Sequence, residues 1–256
     1  MKTTIKFLFL LCAITVSAQK YSSEEKKMLN TYMFNPGFVK PATKKVSTLV
    51  TKDGKTYRGF CRGVDYKKGQ IIAINFRDSV TDEKKSFSAA EIAEAWLYAS
   101  GFESFGKSAE LANNWGVGRI SGKKLRSKDA SYFVNQKVKL KNKKDAREVV
   151  MQLVNPEFDD YISFFHDSEA KESKGVKLGV GPTLGGGVIF SYYVKKGDRV
   201  FWLQKKDLKK EYEFLFGDSK KFMEKYPLKE VKWEWLSALV LEYTKMKMEE
   251  EGKPIG

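Results

Sequence analysis

The stretch Val46-Ser-Thr-Leu-Val-Thr-Lys-Asp-Gly-Lys-Thr-Tyr-Arg-Gly-Phe-Cys61 decides the fold. Val46–Thr51 is short and β-branched, which suits a strand. Asp53-Gly54 is a strong hairpin signal, because glycine accepts the positive φ of a tight turn. Residues 55–61 then return as a second strand. Outward from this hairpin, a loop over 62–70 carries Gly63 and Gly69 and leads into Ile71-Ile-Ala-Ile-Asn-Phe76, a third strand. Ser86-Phe-Ser88 closes the meander. Ser88 followed by Glu91 matches a capping box, which predicts a helix burying Ile92, Ala95 and Trp96. Residues 46–100 therefore read as a small SH3-like antiparallel half-barrel with a terminal helix.

A connecting region rich in Gly, Ser and Lys covers 101–130, and a second antiparallel meander follows over 131–206. Its strands are expected at 131–140, 146–154, 158–165, 188–194 and 199–204. Asn155-Pro156 and Lys195-Lys-Gly-Asp198 mark two of its turns, and a polar, then glycine-rich insertion spans 167–187. The C-terminal segment, 207–256, reads as helical. Asp207 is expected to cap Leu208–Phe216, and Ser219 a helix ending at Pro227. Residues 232–250 carry Leu236, Leu239, Val240, Tyr243 and Met246 at helical spacing. In the lead-in, 19–45, Ser22 and Glu25 form a second capping box. The fold class is α+β, with C-terminal helices beside antiparallel sheet.

Residues 1–18 read as a signal peptide. Lys2 and Lys6 precede an apolar run over 7–16, and Val16-Ser-Ala18 offers small residues before a cut at Gln19. The run is too short to span a bilayer. Cys12 follows Leu11, where a lipid attachment site would have a small residue, so unlipidated export is expected. The mature chain is expected to be periplasmic, cell-surface or secreted. Cys61 is then its only cysteine, expected to pack as a small hydrophobe. Among the 256 residues, 42% hydrophobic and 14% aromatic suffice for a core. A mean hydropathy of -0.45 with 31% charged residues excludes a polytopic membrane protein.

The formal charge is +15, and loss of Lys2 and Lys6 leaves +13. Only seven of the 47 basic residues are arginine, whose planar fork dominates recognition of bases. The densest basic patch is Lys137-Val-Lys-Leu-Lys-Asn-Lys-Lys144, whose alternation places Lys137, Lys139 and Lys141 on one face of a strand. Three readings stay open: a solubilising surface, attraction to an anionic envelope surface, and nucleic-acid binding. The last is disfavoured by export and by the lack of a recognition motif.

Several short pieces carry a resemblance. They are Thr51-Lys-Asp-Gly-Lys-Thr-Tyr-Arg-Gly59, Ser88-Ala-Ala-Glu-Ile92, Tyr193-Val-Lys-Lys-Gly-Asp-Arg-Val-Phe-Trp202, Leu215-Phe-Gly-Asp218 and Glu242-Tyr243. In this order the chain resembles uncharacterised exported proteins of Bacteroidota-type bacteria. The resemblance implies an exported chain with a small β-meander unit, a second meander and C-terminal helices; it implies no catalytic set. Ser219 stands where that group often has cysteine, which weakens any disulfide that the likeness would imply.

Catalytic motifs are sparse. His166, the single histidine, sits in Phe164-Phe-His-Asp-Ser168, but its neighbour Asp167 would point to the opposite face of a strand. One histidine and one mature cysteine do not make a zinc set. Asp159-Asp160 and Asp78/Asp82 lack calcium-loop spacing. Gly179-Val-Gly-Pro-Thr-Leu-Gly-Gly-Gly187 fails both phosphate-loop patterns, since Leu184 occupies the last glycine of one and no Gly-Lys-Ser/Thr follows. No metal or cofactor is expected. The function expected is a non-enzymatic binding or scaffold module at the bacterial cell envelope. The alternative is an exported hydrolase using His166 and the 167–187 loop. A protein partner met by Trp233 and Trp235 is a third possibility.

Overall fold

The structure, a computed structural model, describes residues 21–34, 40–67, 70–99, 130–140, 144–166 and 191–254. Residues 1–18, expected to be a signal peptide, nearly all of the 101–130 connecting region and the 167–187 insertion lie outside these residues.

The strands are β1 (Val46–Thr51), β2 (Thr56–Lys67), β3 (Gln70–Asp78), β4 (Lys84–Ser88), β5 (Ile92–Tyr98), β6 (Ala130–Lys139), β7 (Ala146–Leu153), β8 (Ser163–His166), β9 (Tyr192–Lys196) and β10 (Arg199–Leu203). The helices are α1 (Ser23–Met33), α2 (Leu208–Phe216), α3 (Lys220–Lys225) and α4 (Leu236–Glu250). All strands join one antiparallel sheet in the order β10-β9-β8-β7-β6-β5-β1-β2-β3-β4. One further pairing, Ile71 with Val150, joins β3 to β7 and closes β1, β2, β3, β7, β6 and β5 into a six-stranded barrel. Closure removes the unpaired edges that a half-barrel would expose. The half-barrel and second meander expected from the sequence are thus parts of one continuous sheet.

The founding hairpin forms as its residues dictate. Gly54 takes φ +82, and Thr51 is tied to Asp53 and to the Lys55 carbonyl. Leu49, Cys61, Ile74, Phe76, Phe133 and Val150 fill the barrel. The helix expected after Ser88 is instead strand β5, between β1 and β6. The Ser88 backbone and hydroxyl do bond to the Glu91 carboxylate, at 2.8 and 2.6 Å, but the pair closes a tight turn. Tertiary pairing then outweighs the local signal. Ala95 lies between Leu49 and Phe133 inside the barrel, while Trp96 points outward and stacks on Tyr132 at 4.7 Å.

β8 and β9 separate two further cores. Phe165 and Tyr193 join Trp96, Tyr132, Met151 and Leu153 on one side. Phe164, Tyr192 and Val194 face Leu215, Leu239 and Tyr243 of the helices on the other. This alternation is the period of two in a strand buried on both faces. The strand expected over 158–165 is shorter, because 156–162 turn around Asn155.

Ser219 caps α3 by accepting from the Phe222 backbone, as expected, whereas Asp207 makes no side-chain cap bond. The Ser22–Glu25 box of α1 is complete, and its end buries Leu29 and Phe34 in the helical core. Trp233 and Trp235 do not form an outward pair. Trp233 is buried beside Tyr192, and Trp235 lies beneath Lys26 and Lys232. Among the described residues, no helix is long and apolar enough to cross a membrane.

Candidate functional site

The N-terminal half of β7 gathers cations from three hairpins. On β6, Lys137 and Lys139 are exposed, whereas Val138 between them and Leu140 just after are buried. The expected alternation is therefore present; Lys141 lies outside the described residues. Lys137 stands opposite Glu148, and Lys139 opposite Ala146. Glu148 is ion-paired with Lys52, which projects from the β1–β2 turn. That turn is anchored in turn, since the Lys52 N–H donates to the Glu91 carbonyl at 2.8 Å. From the tip of β2–β3, Gln70 accepts from Arg147 at 3.1 Å and pairs across the hairpin with Lys67.

Six exposed cations, Lys52, Lys67, Lys137, Lys139, Lys144 and Arg147, lie on these turns and strands among five exposed carboxylates, Asp53, Asp65, Glu91, Asp145 and Glu148. Four of those carboxylates are engaged: Asp53 pairs with Lys55, Asp65 accepts from Asn75, Glu91 from Ser88, and Glu148 from Lys52. Together they make a rim of mixed charge in which the cations outnumber the carboxylates. Exposed lysines at this spacing act as a diffuse anion-attracting surface rather than a geometric cradle. Asn135 stiffens the rim from beneath by donating to the Ala89 and Ile92 carbonyls at 2.9 and 3.0 Å. Sequence reasoning found Lys137 and Lys139 by alternation, but Lys52, Lys67 and Arg147 join them only through strand register.

His166 ends β8 opposite Gln152, and its Nε2 atom is buried. Asp167 and the glycine-rich loop lie outside the described residues. Cys61 faces the barrel interior, where burial pushes its thiol up to about 12 and keeps it neutral. Among the described residues, no group of three or more His, Cys, Asp or Glu side chains is placed to hold a metal ion.

A second polar cluster escaped the sequence reading. Asp218, between α2 and α3, accepts from Tyr243 of α4 at 2.8 and 3.0 Å and from Lys196 of β9 at 2.7 Å. Lys196 also reaches the Leu215 carbonyl, and Lys247 approaches Asp218 at 3.8 Å. Burial raises the Asp218 carboxyl, but the bonds from Lys196 and Tyr243 and the Lys196 charge outweigh it and hold the group below its usual value. The only signal was that Lys196, Asp218 and Tyr243 fall in three separate pieces of the resemblance.

This cluster is a clasp between hairpin and helices, because each member comes from a different element. Asp218→Asn is expected to cost about 1–2 kcal/mol at neutral pH, the range for charge-assisted hydrogen bonds at a half-exposed site. A lowered native carboxyl stabilises fully above the ordinary aspartate value of 3.8 and stops doing so as pH falls through the lower native value. Thermal melts from pH 7 to pH 2.5 should therefore show a shallower acid limb in the variant. Parallel limbs would show that the clasp contributes nothing.

No protein-family model, curated protein or solved structure matches the chain.

Proposed function

We propose that this is an exported, non-enzymatic binding module that docks on the anionic surface of a bacterial cell envelope. In this reading β1–β5 form an SH3-like scaffold whose hairpin tips present the cations, and the C-terminal helices brace the far side of the sheet. The observation that carries the proposal is the gathering of Lys52, Lys137, Lys139 and Arg147 along the N-terminal half of β7, with Lys144 just before it. A lysine near a negatively charged membrane surface contributes about 1 kcal/mol, so a rim of this size suffices for reversible docking. Export, read from residues 1–18, supplies the setting.

The chain beginning at Gln19, mixed with isolated envelopes, is expected to sediment at low salt. It should move to the supernatant as ionic strength rises and the Debye length shrinks below the reach of the rim. Lys137→Glu combined with Lys139→Glu should weaken sedimentation by at least about tenfold, since reversal turns two attractions into repulsions. A chain that stays in the supernatant at every salt concentration would remove the proposal.

A further inference from the structure

We infer that α1 is a strap that closes on the helical core only after residues 1–18 are removed, so that closure and cleavage at the 18–19 bond exclude one another. The inference rests on the export part of the proposed function and adds an order of events to it.

The folded body begins almost at the expected cut. Only Gln19 and Lys20 stand between Ala18 and Tyr21, a reach of about 7 Å at most. Tyr21 is 6% exposed and belongs to the helical core. Ser22 then accepts from the Glu25 N–H, and the Glu25 carboxylate accepts from the Ser22 N–H. The backbone is therefore committed to helix from Ser23 onward. Residues near a chain terminus are ordered only where such ties hold them.

α1 is tied at both ends and in the middle. Lys26, also 6% exposed, lies 4.5 Å from the centre of the Trp235 ring and 5.2 Å from that of Tyr226. Leu29 is fully buried. The Phe34 ring packs 4.7 Å from Phe164 and 5.2 Å from Tyr192, and the Phe34 carbonyl accepts from the Tyr192 hydroxyl at 3.2 Å. Asn30 makes the tie with the widest consequence. α4 has no side-chain cap of its own at Trp235; its Ser237 N–H donates instead to the Asn30 Oδ1 at 3.1 Å. The strap thus satisfies one of the N–H groups that the start of a helix leaves without an internal partner.

A cleft that recognises a peptide by its backbone needs that backbone extended over several residues. To grip both sides of the 18–19 bond, a peptidase must draw out the chain beyond Gln19. The closed strap holds that chain as capped helix with Tyr21 inside. Cleavage therefore has to wait for the strap to open, against every tie named above. Once the cut is made, nothing further has to open and the strap closes. A chain that folds before export keeps residues 1–18, whereas a chain held open during export loses them.

The test follows cleavage between Ala18 and Gln19 by purified signal peptidase in detergent micelles. Its substrates are the folded full chain and the peptide 1–34, which carries the junction and the strap but no body to close on. The peptide is expected to be cut at least about tenfold faster, because cleavage tracks the population of the open form. Leu29→Ala and Asn30→Ala in the full chain should move its rate towards that of the peptide, with thermal melts showing the body still folded. Gly54→Ala, in the barrel rather than the helical core, controls for general destabilisation and should be cut like the parent. A full chain cut as fast as the peptide, strap variants cut like the parent, or Gly54→Ala accelerated as much as Asn30→Ala would overturn the strap and leave export intact. A peptide left uncut between Ala18 and Gln19 would overturn the reading of residues 1–18 as a signal, and this inference with it.

Discussion

Asn155→Ala is expected to destabilise the protein by about 3 kcal/mol, because buried backbone groups that lose a hydrogen-bond partner each cost about 1–3 kcal/mol. The Ile162 carbonyl and the Phe164 N–H both lose their bond to Asn155, while the Phe158 carbonyl keeps Thr244. Asn155 is fully buried where the chain leaves β7 and turns towards β8. Its amide nitrogen donates to the Ile162 carbonyl at 2.8 Å and to the Phe158 carbonyl at 3.4 Å. Its oxygen accepts from the Phe164 N–H at 2.8 Å. One side chain thus replaces the strand ladder that residues 156–162 lack, and it seats Phe158, Ile162 and Phe164 in the helical core. Alanine leaves those groups enclosed without that partner.

Asn155→Asp separates hydrogen bonding from volume. The aspartate keeps the acceptor for Phe164 but turns a second oxygen towards two carbonyls, so burial and repulsion raise its folded-state pKa. The variant should be least stable at neutral pH and should recover part of the loss as pH falls through the raised value, where the protonated acid can donate. Urea unfolding at pH 7 and pH 4.5 measures both effects. An alanine variant within about 0.5 kcal/mol of the parent, the usual range for neutral surface changes, would show that the turn is held by something else.

Asn155-Pro156 announced a turn in the sequence, but nothing local announced why asparagine was needed. The same division runs through the molecule. β1, the first half of β2, β3, β6, β7, β9 and β10 were legible because period-two burial and turn residues act over a few neighbours, as at Asp53-Gly54 and Gly197-Asp198. Most of the loop expected over 62–70 is instead strand, since β2 continues to Lys67 by pairing with β3. β5 was misread because Ser88 and Glu91 satisfy each other in a turn as readily as at a helix start. Only Leu49 and Phe133, both distant in sequence, make the strand the better choice for Ala95. Barrel closure rests on the pairing of Ile71 with Val150, which no local pattern encodes. The candidate site divides likewise. Lys137 and Lys139 declare themselves by alternating with buried Val138 and Leu140, while Lys52 and Arg147 reach the rim through Glu148 and Gln70.

Gly59→Ala is expected to cost about 3 kcal/mol or more, the cost of overpacking against groups that cannot rotate away. Gly59 lies in mid-strand, between Ser47 of β1 and Asp78 of β3. A Cβ there would overlap the Arg77 carbonyl oxygen and would lie 3.0 Å from the Arg77 carbonyl carbon and 3.2 Å from the Asp78 Cα. All three are backbone atoms, so relief requires β2 and β3 to part. Gly54→Ala, in the adjoining hairpin, is the control. Its φ is +82, but a Cβ would meet nothing within 4 Å. Only the left-handed conformation is then penalised, by about 1 kcal/mol. Chemical denaturation of the two variants should therefore differ by about 2 kcal/mol or more, although the substitution is the same. Equal losses would mean that turn geometry, not strand approach, sets the need for glycine. The consequence reaches the rim, because a displaced β3 carries Ile71 away from Val150 and loosens the gathering of Lys67 and Arg147. Gly59→Ala should then weaken envelope sedimentation at temperatures where it is still folded, whereas Gly54→Ala should leave sedimentation close to that of the parent.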